Sequence, residues 1–277
     1  MGKLLAFVLV GAAACGSNNT NTVDAKIKID DAPPDQKVFM DAPPPMFDFS
    51  CIGNSPPTPN ATVTVSGTVT EASVMGTTPS FNPLVGATID ACVGDCLAGN
   101  KLTTVTTVAM GAFTAGPLTT NGTAIDGYIR MTDNGHRTSY VYPPVPLAKD
   151  LPNAPVITFS PTIIGALQIL GVCTQNDGAN GLMAVVVVDC MGNPITDSGN
   201  ITVSVKNGAT PVGDAPFDVG AVAGSMAPQA QGLFIVCNVP EAAAITVGAK
   251  YKTMDLLSHN VGVTKATTIE TEVRPGY

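Results

Sequence analysis

The sequence predicts an all-β chain: two small β-sandwich domains joined by one short helix, after a disordered N-terminal tether. Three observations predict it. From Ala61 onward, segments such as ATVTVSGTVTEA alternate apolar with Thr or Ser positions, the period of a half-buried strand. The segments are short and end in Gly, Asn, Asp or Pro, the residues of tight turns. The pattern also occurs twice. VTVSGTV, PLVGATI, Gly111-Ala112-Phe113 and GYIRM answer to MAVVVVDC, NPITDSGNITVSV, Gly232-Leu233-Phe234 and ITVGAKY, and Val65 to Gly111 matches Val187 to Gly232 in span to within one residue.

Residues 1–14 read as a secretory signal peptide. Lys3 supplies the positive charge, Leu4 to Val10 the apolar run, and small residues lead to Cys15. The run is shorter than the roughly 20 residues a bilayer span needs. Residues 15–60 read as a tether. SNNTNT, DAKIKIDDAPPD, DAPPP and NSPPTPN have no helical or strand period, and their prolines favour an extended spacer. A recruitment motif for a partner is the functional alternative to a stalk.

Residues 61–159 form the first predicted sandwich. Its strands are 61–72, Leu84–Ala91, Leu102–Ala112, Ala124–Thr132 and Thr138–Tyr142, and a proline-rich segment, Pro143–Pro155, follows. Residues 160–181 hold the connector. Ser160 is placed as an N-cap, Pro161 fits the first turn, and Thr162–Leu170 carries Ile163, Leu167 and Leu170 at helical spacing before Gly171. Residues 182–277 form the second sandwich, with strands at LMAVVVVDC, Ile201–Val205, Leu233–Val236, Ile245–Ala249, Val261–Thr264 and Thr268–Val273.

Composition excludes some functions. The net charge is −8 with only 13 Lys plus Arg and no basic cluster, so a nucleic-acid backbone meets no complementary surface. Trp is absent and aromatics are 5%, which weakens any extended stacking platform. Beyond Cys15 there are six cysteines: Cys51, Cys92, Cys96, Cys173, Cys190 and Cys237. An even number in an exported chain points to disulfides. Three precede residue 100 and three follow residue 170, so complete pairing requires a bridge between the halves. Two bridges with two free thiols is the alternative. Cys190 and Cys237 end predicted core strands, positions that suit a cross-sheet bridge.

The chain offers little for catalysis. His136 and His259 are its two histidines, and neither belongs to a metal-binding or triad spacing. His136 sits in the turn DNGHR and reads as a solvent-exposed loop residue, and His259 reads as a loop or strand-edge residue. No G-x-S-x-G elbow is present, and Gly224-Ser225 lacks its context. Cys92-Val93-Gly94-Asp95-Cys96 is C-x3-C and reads as two half-cystines, not a redox motif. Asp24, Asp30, Asp31, Asp35, Asp41 and Asp48 form no calcium-loop pattern. No metal and no cofactor is expected. Tyr128, Tyr140 and Tyr142 are the candidate binding surface, because Tyr140 and Tyr142 share a face of a regular strand. Packing against prolines between the domains is their structural alternative.

Three resemblances add to this. The Ala12-Ala13-Ala14-Cys15 junction resembles a bacterial lipobox, with Ala12 where that family prefers Leu. It implies cleavage before Cys15, lipidation of its thiol with palmitate-type chains, and membrane partnership through that anchor. Gly16, which is not Asp, implies the outer membrane by the enterobacterial sorting rule. The other reading is an ordinary cut near Ala14, with Cys15 incidental. The two halves resemble the carboxypeptidase regulatory-like domain, a transthyretin-like or immunoglobulin-like sandwich. The matching steps are Val186-Val187-Val188-Asp189, Gly192-Asn193-Pro194-Ile195, Gly232-Leu233-Phe234, Asn238-Val239-Pro240 and Ile245-Thr246-Val247-Gly248-Ala249. In the first half they are Val65-Ser66-Gly67-Thr68-Val69, Pro83 to Ile89 and Gly111-Ala112-Phe113. The Asp-Ala-Pro tether and Tyr140 to Pro144 also resemble lipoproteins of myxobacteria. These resemblances imply a non-enzymatic envelope lipoprotein with a structural or adhesive role toward a protein or surface glycan. A carbohydrate or small-ligand binding module is the second reading, and an unrecognised hydrolase the third.

Overall fold

The computed structural model describes residues 47–75, 78–169, 172–223 and 230–277. Cys15, the signal segment, most of the tether and the Leu170-Gly171 helix end lie outside them. The first half contains β1 (Thr62–Met75), β2 (Thr78–Pro83), β3 (Thr88–Cys92), β4 (Lys101–Thr106), β5 (Ala112–Thr119), β6 (Tyr128–Thr132), β7 (Ser139–Tyr142) and β8 (Leu151–Phe159). Helix α1 (Pro161–Ile169) follows. The second half contains β9 (Asn180–Val187), β10 (Ile201–Asn207), β11 (Thr210–Pro211), β12 (Phe217–Asp218), α2 (Val219–Ala223), β13 (Leu233–Pro240), β14 (Ala242–Tyr251), β15 (Met254–Asp255), β16 (His259–Val263) and β17 (Thr268–Val273). The architecture is all-β with short helices.

One sheet runs through both halves, in the order β12-β13-β9-β17-β7-β6-β3-β4. Its junction is β17, which pairs in parallel with β7 on one side and β9 on the other. Each half completes a sandwich with its own smaller sheet. In the first half β1, β2, β5 and β8 cover Ile89, Ala91, Ile129 and Met131. In the second half β10, β14 and β16 cover Met183, Val185, Val187 and Ile269.

Side-chain alternation shows that the two covers lie on opposite faces of the shared sheet. Met183, Val185 and Val187 enter the second core, whereas Leu182 and Ala184 join Leu233, Ile235, Ala72 and Phe159 in a third cluster. Strands β9 and β13 are therefore buried on both faces, which explains why LMAVVVV reads as a continuous apolar run. Helix α1 closes this third cluster with Ile163, Ile164 and Leu167. Ser160 caps it, its Oγ accepting from the Ile163 N–H at 3.4 Å.

Three segments differ from the sequence reading. The predicted strand 102–112 ends at Thr106, and β5, which the sequence reading does not place, begins at Ala112, with Met110 and Gly111 between them at positive φ. A Cβ at Gly111 would lie 2.3 Å from the Val69 carbonyl oxygen, so only glycine fits there. β1 runs past the predicted boundary at 72 to Met75, and β2 lies between the predicted strands 61–72 and Leu84–Ala91. β8 falls mostly in the segment read as a proline-rich connector. It pairs with β1 alone, and an edge strand tolerates Pro152 and Pro155 because it needs donors on one side only.

Residues 47–51, read as part of the tether, are docked on the second sandwich. The Phe49 ring stacks on Tyr251 with centroids 5.3 Å apart, and Phe47 meets it edge-on at 5.8 Å. The Cys190 N–H donates to the Asp48 carbonyl at 2.8 Å, and the Asp48 N–H donates to Asp189 Oδ2. Burial pushes the Asp189 carboxyl up, but the N–H groups of Asn193, Asp48 and Met191 outweigh it and hold the pKa below its ordinary value.

The cysteines form three disulfides, Cys51–Cys190, Cys92–Cys96 and Cys173–Cys237. Cys51–Cys190 is the bridge between halves that the cysteine positions require. Cys190 and Cys237 do not pair with each other, because each reaches a cysteine outside the strands, on the segment packed beside it.

Glu270, central in β17, has 7% of its surface exposed. Burial pushes its pKa from 4.5 up to about 8, against the Ile157 N–H and the Ser139 hydroxyl, which favour the charged form.

Two measurements check this description. Replacing Cys51 and Cys190 together by Ser removes a cross-link spanning 139 residues and is expected to cost about 5 kcal/mol in a denaturant titration. The same change at Cys92 and Cys96, 4 residues apart, is expected to cost about 2 kcal/mol. Second, between pH 4.5 and about 8 native Glu270 keeps a proton that the unfolded chain releases, so its contribution to stability falls as pH rises. His259, whose pKa burial lowers from 6.5, acts in the opposite sense and destabilises the fold as pH falls. The stability of Glu270→Gln relative to the parent is therefore expected to rise between pH 5 and 8.5 by a few kcal/mol, order of magnitude. A constant difference across that range would contradict the assignment.

Candidate binding surface

Because the two covering sheets lie on opposite faces, β3, β4, β6 and β7 leave one face without a covering sheet. Cross-strand register sets its contents. Asp90 pairs with Arg130, and Arg130 with Tyr140. Tyr128 lies opposite Cys92, and Tyr142 opposite Thr271. These residues alternate with Ile89, Ala91, Ile129 and Met131, which point into the first core.

The three tyrosines come together. The Tyr128 ring is 5.5 Å from Tyr140 and 5.0 Å from Tyr142, both tilted, at distances typical of aromatic pairs. The Tyr128 hydroxyl donates to the Gly94 carbonyl at 2.9 Å, so the loop closed by Cys92–Cys96 orients that ring. Burial, then the neighbouring Tyr140, push the Tyr128 hydroxyl above its ordinary range. Burial and Tyr128 do the same, more strongly, to Tyr142. Both phenols are therefore neutral hydrogen-bonding groups at any physiological pH.

Beside the rings lies a closed ionic cluster. Asp90 accepts from Thr104 Oγ1 at 2.6 Å, from Arg130 Nη2 at 2.6 Å and from Lys101 Nζ at 2.9 Å. Burial raises its pKa, and the three donors more than offset this, leaving it below the usual carboxylate value. The cluster fixes Arg130 beside Tyr140. No spacing in the sequence announces it, since its members come from three strands and meet only through register.

The second sandwich forms a wall at one side of this face. β16 is an edge strand of its sheet, pairing with β14 alone. A Cβ at Gly262 would sit 3.0 Å from the Tyr142 hydroxyl oxygen. His259 Nε2 lies 2.6 Å from Thr271 Oγ1, which also donates to the Tyr142 carbonyl. The tyrosines thus occupy a step where the uncovered face meets the covered one.

Neither histidine enters a catalytic arrangement among the described residues. His136 is not solvent-exposed as its turn implied. Its side chain, 16% exposed, lies between Asp133 Oδ2 at 2.7 Å and Glu71 Oε1 at 3.5 Å, because β1 runs past the turn. His259 opens an edge strand, with a hydroxyl and no nucleophile–acid pair. Cys173, Asp214 and Cys237 converge, but the two sulfurs are bonded to each other and Asp214 Oδ2 accepts from Asn238 Nδ2 at 2.8 Å. The cluster is a disulfide beside a capped carboxylate.

No family model matches the chain, and no curated protein matches it. Among solved structures it is similar to the shaft pilin SpaA from Lactobacillus rhamnosus GG, at 12% identity over 78% of this chain and 98% of that one, with a TM-score of 0.24. A point mutant of the same pilin gives 10% identity over 78% and 98%, with a TM-score of 0.26. Two B repeat units of the collagen-binding protein of Staphylococcus aureus give 9% identity over 78% and 50%, with a TM-score of 0.24. Likeness at these values says nothing of what this chain binds.

Proposed function

We propose that this protein is a non-catalytic cell-envelope lipoprotein, anchored through an acylated Cys15, that makes structural or adhesive contacts with an envelope protein or surface glycan. The observation that carries the reading is the tyrosine step. Three phenol rings, each within 5.5 Å of a neighbour, stand at the border of an uncovered sheet face, Tyr142 packing partly against the second core, and Arg130 flanks them, sharing Asp90 with Lys101. Tyr and Arg combine apolar contact area with hydrogen-bonding tips, the composition of contact hot spots. The cluster leaves one unbalanced positive charge, too little to hold a polyanion, so the face suits a glycan or a polar protein surface.

The envelope reading rests on other support. The signal segment and lipobox-like junction bear on export and anchoring, and three disulfides fit an oxidising compartment. Among the described residues no helix is long and apolar enough to cross a membrane. A body tied to the bilayer by acyl chains needs none.

Detergent-phase partitioning of the full chain checks the anchor. The parent is expected in the detergent phase and Cys15→Ala in the aqueous phase, and equal partitioning would contradict lipidation. Affinity capture from crosslinked envelopes, followed by glycan-array binding, checks the surface. Tyr140→Ala is expected to weaken the captured interaction by about 1–3 kcal/mol while the melting temperature stays within a few degrees. Undiminished capture by Tyr140→Ala would remove the tyrosine step from the function.

A further inference from the structure

A cavity lies where the open end of the first sandwich meets the second half. It measures ≈ 490 Å³, within the range of small-molecule sites. Leu147 and Leu151 line it from the first half and Val186 from β9, while Glu270, Glu272 and Arg274 line it from β17 and the residue after it. The three polar residues recur at every second position, so a single strand face presents all of them.

Glu270 is the unusual member. A chain with only 12% charged residues places a carboxyl, 7% exposed, in the middle of a central strand. One of its oxygens serves the fold. Oε2 accepts from the Ile157 N–H at 2.8 Å and so ties β17 to β8. That tie needs one acceptor. Oε1 is buried and has no hydrogen-bond partner among the described residues. An unmade hydrogen bond at a buried carboxyl is costly, and a ligand donor removes the cost. Glu272 is differently placed: burial raises its pKa, and the Arg274 charge acts on it in the opposite direction. Arg274 Nη2 also donates to the Cys190 carbonyl at 3.2 Å. Arg274 thus holds the Cys190 turn through Nη2 and acts on Glu272 only through its charge, while its buried Nε has no hydrogen-bond partner among the described residues.

We propose that this cavity binds a small apolar primary amine, whose ammonium group donates to Glu270 Oε1 while its hydrocarbon body lies against Leu147, Leu151 and Val186. The apolar walls provide most of the affinity, and the carboxyl selects the head group. Binding carries a proton signature. Free Glu270 is held protonated near neutral pH, and pairing with an ammonium favours the carboxylate, so the carboxyl proton passes to solvent as the complex forms. Of the titratable groups lining the cavity, Glu272 and Arg274 share the Glu270 face of β17's run, while Tyr142 on β7 and Tyr128 on β6 belong to the opposite face of the sheet. β8 and β9 contribute none.

Isothermal titration calorimetry of the full, disulfide-intact chain tests the proposal, with cyclohexylmethylamine and its neutral counterpart cyclohexylmethanol as probes. The parent is expected to bind the amine at least tenfold more tightly than the alcohol, and Glu270→Gln to abolish that preference while retaining the alcohol. Titrations of the parent at pH 7 in buffers of different ionisation enthalpy are expected to show release of about one proton with the amine and none with the alcohol. This readout needs no variant and so stands even if Glu270→Gln fails to fold. Equal affinities in the parent, no amine binding, an amine preference that survives Glu270→Gln, or amine binding without proton release would each overturn the proposal. Tyr128 and Tyr142 also line the cavity, but Tyr140 does not, so Tyr140→Ala is expected to leave amine binding intact. Loss of the tyrosine-step function and loss of this site are thereby separable.

Discussion

The parallel insertion of β17 between β7 and β9 is the constraint on which the rest of the molecule depends. A strand at the centre of a sheet must satisfy hydrogen bonds on two edges and packing on two faces. Here the edges belong to different halves of the chain, and the faces to different cores. Ile269 and Val273 enter the second core, while Glu270 faces β8 of the first half. β17 follows β7 and β9 by many residues, so the shared sheet is joined by a segment distant in sequence from both neighbours. Cys51–Cys190 acts in the same place from the other end, fastening the beginning of the described chain to the turn after β9. The two halves are thus held together both by backbone pairing and by a covalent bond.

Much of this was legible in the sequence, and the boundary of legibility has a physical basis. Period-two alternation and β-branched content reveal where a strand is half-buried, as in 61–72 and 124–132, where the structure has β1 (Thr62–Met75) and the shorter β6 (Tyr128–Thr132). The run LMAVVVVDC carries a different signal: apolar on consecutive positions, it announces a strand covered on both faces, and β9 is that strand. The strands left unread are those whose local chemistry argues against a strand. β8 contains two prolines, and only its edge position makes them tolerable. β5 begins immediately after a left-handed turn at Met110-Gly111, which a continuous hydrophobic pattern conceals.

The candidate surfaces divide in the same way. That Tyr140 and Tyr142 share a face follows from strand alternation alone, so the tyrosine step was partly visible. Tyr128 joining them depends on β6 pairing with β7, and the wall at Gly262 on β16 crossing over from the other half. The Asp90 cluster and Glu270 were not visible at all. An acid in a strand reads as solvent-facing, and only the long-range topology places Asp90 under three donors and Glu270 against β8. Buried charge is a property of contacts, and contacts of high sequence separation leave no local trace.

Low charge density connects these features. With few ionisable groups, each buried one needs a specific reason, and most have one. Asp90 is neutralised by Lys101 and Arg130, and Asp189 receives the N–H groups that dock the chain at Asp48. Both sit below their ordinary pKa because donors converge on them. Glu270 departs from the pattern in the opposite direction: burial outweighs the Ile157 N–H and the Ser139 hydroxyl, Oε1 has no hydrogen-bond partner among the described residues, and the carboxyl shifts upward. A purely structural acid at this position would be replaced without loss by any residue offering one acceptor. A carboxyl facing a cavity, with an arginine already engaged elsewhere, retains a capacity that the fold itself does not consume. The shared sheet thus does more than join two sandwiches. By covering opposite faces in its two halves, it leaves one uncovered aromatic face and one cavity that holds Glu270, adjoining each other at Tyr128 and Tyr142.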